Sequence, residues 1–215
     1  MKKSFSFLFL LIVSICTISF MKVEGEQLPL IGKTIYLDAG HGGIDSGAKY
    51  KNILEKDINL EIVKILALKL EALGGTVYLT RYGDYDLSNI GASQRKRSDL
   101  YNRAKIINES DADIYVSIHL NSTASSTWHG AQVFYDDVCE ENLIIANTLS
   151  KSLKTRRKVT EISNMYFNRM VKKPGVLVEV GFLSNGGDRQ KLLTKEYQEQ
   201  VADMLVEGII EYFTS

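Results

Sequence analysis

Short, strongly apolar runs at residues 35–37, 76–80, 113–120 and 175–180 alternate with longer stretches whose apolar side chains recur at helical spacing. That alternation leaves few architectures open. Strands joined through helices pair in parallel, and the helices then cover both faces of the sheet. The expected fold is α/β, a three-layer αβα sandwich with a mainly parallel, mixed central sheet. Its first helix follows residue 57, with Ile58, Ile62, Ile65, Leu66, Leu70 and Leu73 on one stripe and Gly74 and Gly75 as the stop. Others are expected over about 93–108, 140–154 and 195–213, with a further strand over 131–135. Arg95, Lys96, Arg97, Arg103 and Lys105 make the second helix basic, and most of them are expected on a solvated face.

In such sheets ligands gather at the carboxyl ends of strands. His41, His119 and Glu179 fall at such ends. Gly40, Gly42 and Gly43 flank His41 and can take positive φ, so the chain can turn sharply and leave the imidazole approachable. A histidine placed this way serves chemistry, or it only ties a tight turn. Glu55 stands where the first helix begins, a position that also suits a plain helix-end charge. Two histidines and a glutamate ending buried strands, with a second glutamate at a helix start, make the inventory of a catalytic zinc site, which commonly takes two histidines and one carboxylate. The inventory alone does not decide which glutamate would ligate.

The 215 residues, 45% of them hydrophobic, suit one domain with a substantial core. A net charge of zero gives no global field that would draw nucleic acid. Residues 1–25 read as an export segment: Lys2 and Lys3 precede an apolar run over 5–20, and Val23 and Gly25 are small enough to flank a cleavage site. The same run is close to membrane-spanning length, so the segment is a signal peptide or an uncleaved anchor. It would be the chain's sole tie to a membrane. It carries three lysines and one glutamate of the chain's 26 basic and 26 acidic residues, so the remainder is slightly acidic. Ile15 before Cys16 is too bulky for a lipoprotein processing site. Only Cys139 is left after cleavage, which excludes an intrachain disulfide, and a buried, unreactive thiol is expected there.

Four blocks carry a specific resemblance: residues 37–43 (LDAGHGG), 55–60 (EKDINL), 117–122 (SIHLNS) and 176–185 (VLVEVGFLSN). In type and order they resemble the signature blocks of the zinc-dependent N-acetylmuramoyl-L-alanine amidases, and the similarity spans residues 33–213 as one catalytic domain. The resemblance implies the family's αβα fold, a Zn2+ cofactor held by His41, Glu55 and His119, and Glu179 as the catalytic carboxylate. It implies hydrolysis of the amide between muramic acid and the L-alanine of the peptidoglycan stem peptide. Glu179, in a largely apolar strand, is expected to resist ionisation. Residues 95–100 (RKRSDL), 130–135 (GAQVFY) and the Tyr197-Gln198 pair resemble the germination-specific, spore-cortex branch of the family. That branch implies action in the space between the forespore membranes, as the first step to muramic-δ-lactam, with a cortex deacetylase or an accessory lipoprotein as partner. The short run from Tyr135 into the third helix leaves no room for the inhibitory insertion of some division-associated relatives.

Arg169 matches a position where the family often has arginine; it would hold a substrate carboxylate or oxyanion, or lie on the surface. Asn121 would contact substrate, orient His119 or cap a turn. Trp128 and His129 are expected to have a structural or rim role rather than to bind the metal. Two other readings fit the same residues: a zinc peptidase cutting within the stem peptide, and a wall-binding protein with a vestigial metal site.

Overall fold

The computed structural model describes residues 28–215, so residues 1–25, where an export segment is expected, lie outside the described residues. The strands are β1 (Thr34–Ala39), β2 (Lys49–Tyr50), β3 (Ile53–Leu54), β4 (Thr76–Leu79), β5 (Ile114–Asn121), β6 (Gln132–Tyr135), β7 (Thr160–Glu161) and β8 (Gly175–Phe182). The helices are α1 (Glu55–Ala72), α2 (Arg95–Asn108), α3 (Glu141–Ser152), α4 (Tyr166–Met170), α5 (Gly186–Leu192) and α6 (Lys195–Thr214). Six strands form one sheet in the order β4-β1-β5-β8-β6-β7, and β2 pairs with β3 in a small hairpin. The β4, β1, β5 and β8 strands run parallel, while β6 is antiparallel to β8 and parallel to β7. This is the expected α/β sandwich with a mixed sheet. The β2–β3 hairpin, β7, α4 and α5 are elements that the periodicity did not announce.

Side chains alternate cleanly across the sheet. Ile35, Leu37 and Ala39 of β1, Ile114, Val116, Ile118 and Leu120 of β5, and Val176, Val178 and Val180 of β8 enter one large apolar core with α1, α3 and α6. The intervening positions, among them Asp38, Ser117, His119 and Glu179, face the other way. That second face is covered by α2 and α4, with a small cluster of Tyr36, Ala104, Ile107, Tyr115 and Phe167.

The helix boundaries have local causes. Ile58, Ile62, Leu66 and Leu70 of α1 are buried, and the helix stops where Gly74 takes a φ of 88° and the Gly75 N–H returns to the Leu70 carbonyl. Thr194 caps α6 by accepting from the Tyr197 N–H, and Asn185 caps α5 by accepting from Asp188. Arg103 departs from expectation: it is not on a solvated face but fully buried, because α2 turns it toward Asp38.

Candidate active site

The chain leaves β1 through Gly40 and enters a loop at His41, whose own φ is 63°, a left-handed conformation uncommon outside glycine. Gly42 and Gly43 have positive φ as expected. Gly40 serves differently: a Cβ there would meet the His119 ring at 2.3 to 2.6 Å, so glycine makes room for the imidazole rather than for a turn. Gly47, with φ of 62°, likewise leaves space for Glu55 and His41.

Two buried arginines hold this strained segment. Arg81 donates to the carbonyls of Ala39 (2.9 Å), Gly40 (3.1 Å) and Lys56 (2.7 Å). Arg103 donates to the carbonyls of Ala39 and His41 and to the carboxylates of Asp38 (2.8 Å) and Asp99 (2.9 Å). Asp38 also accepts from Ser117 (2.6 Å) and Thr80 (2.7 Å). Burial alone would raise the Asp38 carboxyl, but Arg103, aided by Ser117 and Thr80, holds it below its ordinary value. Lys56, next to Glu55, donates to the Gly43 carbonyl at 2.7 Å and pairs with Asp84.

On this scaffold His41, Glu55 and His119 converge, one donor atom from each lying within 4.8 Å of the others. Glu55 reaches the strand ends because α1 begins there: Oε1 lies 3.0 Å from His119 Nδ1 and 3.2 Å from His41 Nε2, and it accepts from the Leu120 N–H. Its second oxygen accepts from Ala48. Burial would raise the Glu55 carboxyl, yet the two histidines hold it far below the usual carboxylate range. His41 is pulled down by burial and raised on balance by Glu55 and Asp45. Asp45 sits 3.0 Å from His41 Nδ1, which leaves Nε2 to face the other two donors. Two imidazoles and a carboxylate, with an outer carboxylate fixing one ring, fit a divalent cation of the zinc type.

Glu179 is the cross-strand partner of His119, beside a register shift where β8 gains a residue on β5. Its Oε2 is buried without a hydrogen-bond partner. Burial pushes its pKa up to about 7, with His119 and His41 pulling it down and Glu55 pushing it further up. The four residues line one cleft of about 370 Å3, which Asn121 also lines. Arg169 does not line it: its guanidinium is held by Asp136 (2.7 Å) and Asp137. Cys139 is half-buried rather than buried, its thiol raised by burial and donating to the Lys172 carbonyl. Trp128 and His129 lie outside the cleft, with the Arg157 guanidinium over the Trp128 ring. Sequence reasoning passed over Asp38, Arg81 and Asn168, which act through partners distant along the chain, and Asp45, whose partner His41 lies four residues away. The one available signal was a charged residue, Asp38, within an apolar run.

An αβα sheet with two histidines and a carboxylate at its strand ends, next to a buried glutamate, has the donor set of metal-dependent hydrolases. Residues 35–211 match the model of the Amidase_3 family, described as N-acetylmuramoyl-L-alanine amidase, and the chain belongs to that family. It is 44% identical, over 87% of its length and 83% of the relative's, to the germination-specific N-acetylmuramoyl-L-alanine amidase of Bacillus subtilis. Its fold matches that of the CwlD amidase from Clostridioides difficile, solved in complex with the GerS lipoprotein, with a TM-score of 0.80 at 38% identity, covering 84% of this chain and 98% of that one. An N-acetylmuramoyl-L-alanine amidase from Clostridium difficile matches with a TM-score of 0.74 at 33% identity, over 85% and 97%.

Proposed function

We propose that this chain is a zinc-dependent amidase of the spore cortex, cleaving the bond between N-acetylmuramic acid and L-alanine as the first step to muramic-δ-lactam. The observation that carries the reading is the convergence of His41, Glu55 and His119 beside an unpartnered, buried Glu179. His41, Glu55 and His119 would hold the zinc, which supplies a Lewis acid for the scissile carbonyl and lowers the pKa of water to about 7. Asp45 keeps the His41 ring turned so that Nε2 is presented. Glu179 takes the proton of the attacking water at its free carboxylate oxygen and returns it to the departing L-alanine nitrogen. Asn121, on the cleft wall, contacts the substrate.

Residues 1–25 act as the export segment that takes the domain at 33–213 out of the cytoplasm. No helix among the described residues is long and apolar enough to cross a membrane. The likeness to a relative solved with a lipoprotein supports an accessory lipoprotein as partner. A cortex deacetylase would act on the product.

The test is zinc analysis of the purified protein with mass spectrometry of its products on spore peptidoglycan, with and without a chelator. Free L-alanine amino termini on intact stem peptides, lost with the metal and restored by zinc, are expected. Cuts inside the stem peptide would instead make the chain a zinc peptidase.

A further inference from the structure

Beside the hydrolytic residues the cleft has an apolar stretch lined by Leu177 of β8, Leu100 of α2 and Phe167 of α4. Asn168 of α4 lines the same cleft. Asn168 is 1% exposed, donates from Nδ2 to the Tyr115 hydroxyl at 3.3 Å, and has no partner for Oδ1. Tyr115 is itself buried, and burial raises its phenol, so the hydroxyl stays neutral and can donate or accept. Turning the amide over would let the phenol donate to the amide oxygen and leave the NH2 group free. Either way, one end of the Asn168 amide is occupied by Tyr115 and the other is not. An unsatisfied buried amide is a cost that folding alone does not explain.

The remaining orphaned atoms do not share this setting. Asn59 and Asp136 do not line the cleft, and Glu179 has its role in hydrolysis. A few polar groups set among apolar side chains are the usual means by which a pocket fixes the orientation of its ligand.

We propose that Asn168 is a specificity-determining residue whose free amide end hydrogen-bonds a secondary amide of the substrate; this rests on the amidase reading above. A secondary amide offers both a donor and an acceptor, so it satisfies either orientation of Asn168, and Leu100, Phe167 and Leu177 cover the aliphatic groups beside it. Peptidoglycan carries this chemistry in two places, the acetamido group of muramic acid and the peptide bonds of the stem.

The experiment compares wild type with Asn168→Leu and Asn168→Ser on three muramoyl-peptide substrates: one complete, one with the acetamido group replaced by a free amine, and one whose stem ends at L-alanine. With zinc content and Tm unchanged, kcat/KM on the complete substrate is expected to fall about tenfold, the equivalent of one hydrogen bond. The loss disappears on the free-amine substrate when the acetamido group is read, and on the one-residue stem when a peptide bond is read. An equal loss on all three substrates, or none, overturns the proposal. Asn168→Ser supplies the comparison where the leucine variant does not fold. A wild type inactive on every substrate removes the amidase reading and this proposal with it; an active wild type with indifferent Asn168 variants removes this proposal alone.

Discussion

The two faces of the same sheet are built on opposite principles. Under α1, α3 and α6 lies a continuous apolar core in which Leu66, Leu70, Val116, Val178 and Leu205 are almost wholly buried. Under α2 and α4 the sheet buries Asp38, Arg103, Asp99 and Ser117 instead, together with the wall of the cleft. Apolar burial is non-directional and stabilises wherever it occurs, whereas a buried ion pair gains little net stability and demands particular geometry. One face therefore supplies stability, and the other fixes positions. The left-handed His41 illustrates the division, since its strain is tolerated where Arg81 and Arg103 grip the carbonyls of residues 39–41.

The largest effect expected on the polar face is chemical. Glu179→Gln should lower turnover by roughly 10²- to 10⁴-fold, the range for losing a positioned acid–base group. Zinc content and Tm should remain those of the wild type. Retained turnover would remove Glu179 from its role and leave the polar face without its proton carrier.

A matched pair of truncations tests the division itself. Arg103→Met strands the Asp38 carboxylate in the interior and should cost about 3–5 kcal/mol by denaturant unfolding. Leu66→Ala on the opposite face should cost about 2–5 kcal/mol. The two are similar in stability but should part in metal affinity: Arg103→Met frees the His41 carbonyl and should weaken zinc binding, while Leu66→Ala should leave it unchanged. Equal weakening in both variants would break the comparison.

Much of this was legible in the sequence, and the exceptions are instructive. The strand and helix periodicities located β1, β4, β5, β6 and β8 and four of the helices, because each is long enough to show its burial pattern. The two-residue strands and the short α4 and α5 carry no period to read. His41, Glu55, His119 and Glu179 could be picked out as candidates, and the fold brings them into one cleft. The buried network could not be picked out. Arg103 looks like any basic residue of a charged helix, and its partner Asp38 lies 65 positions away. In the sequence Gly40 signals only backbone freedom, but its contribution is the absence of a side chain where the His119 ring passes.

A smaller effect should appear with pH. The folded Asp38 carboxyl ionises below its ordinary value, so its contribution to stability is complete above the unfolded-state pKa of about 3.9 and is lost as pH falls toward the folded value. Urea midpoints measured from pH 7 downward should therefore fall for the wild type and fall less for Asp38→Asn. Parallel slopes would mean that Asp38 is not held ionised by Arg103.

The smallest effect separates two arginine–aspartate pairs of the same chemistry. Arg103 and Asp38 are both buried, whereas the Arg169 side chain is 45% exposed beside Asp136 and Asp137. Water screens the Arg169 guanidinium and Asp137, and Asp136, although buried, keeps its hydrogen bond from the Val138 N–H when the guanidinium is removed. Arg169→Ala should lower Tm only slightly and leave kcat/KM on peptidoglycan near that of the wild type, in contrast to Asn168→Leu one position earlier. A loss of kcat/KM as large as that of the Asn168 variant would mean that Arg169 leaves its aspartates when substrate binds. The functional face would then extend beyond the cleft, to the position where the sequence resemblance had first put it.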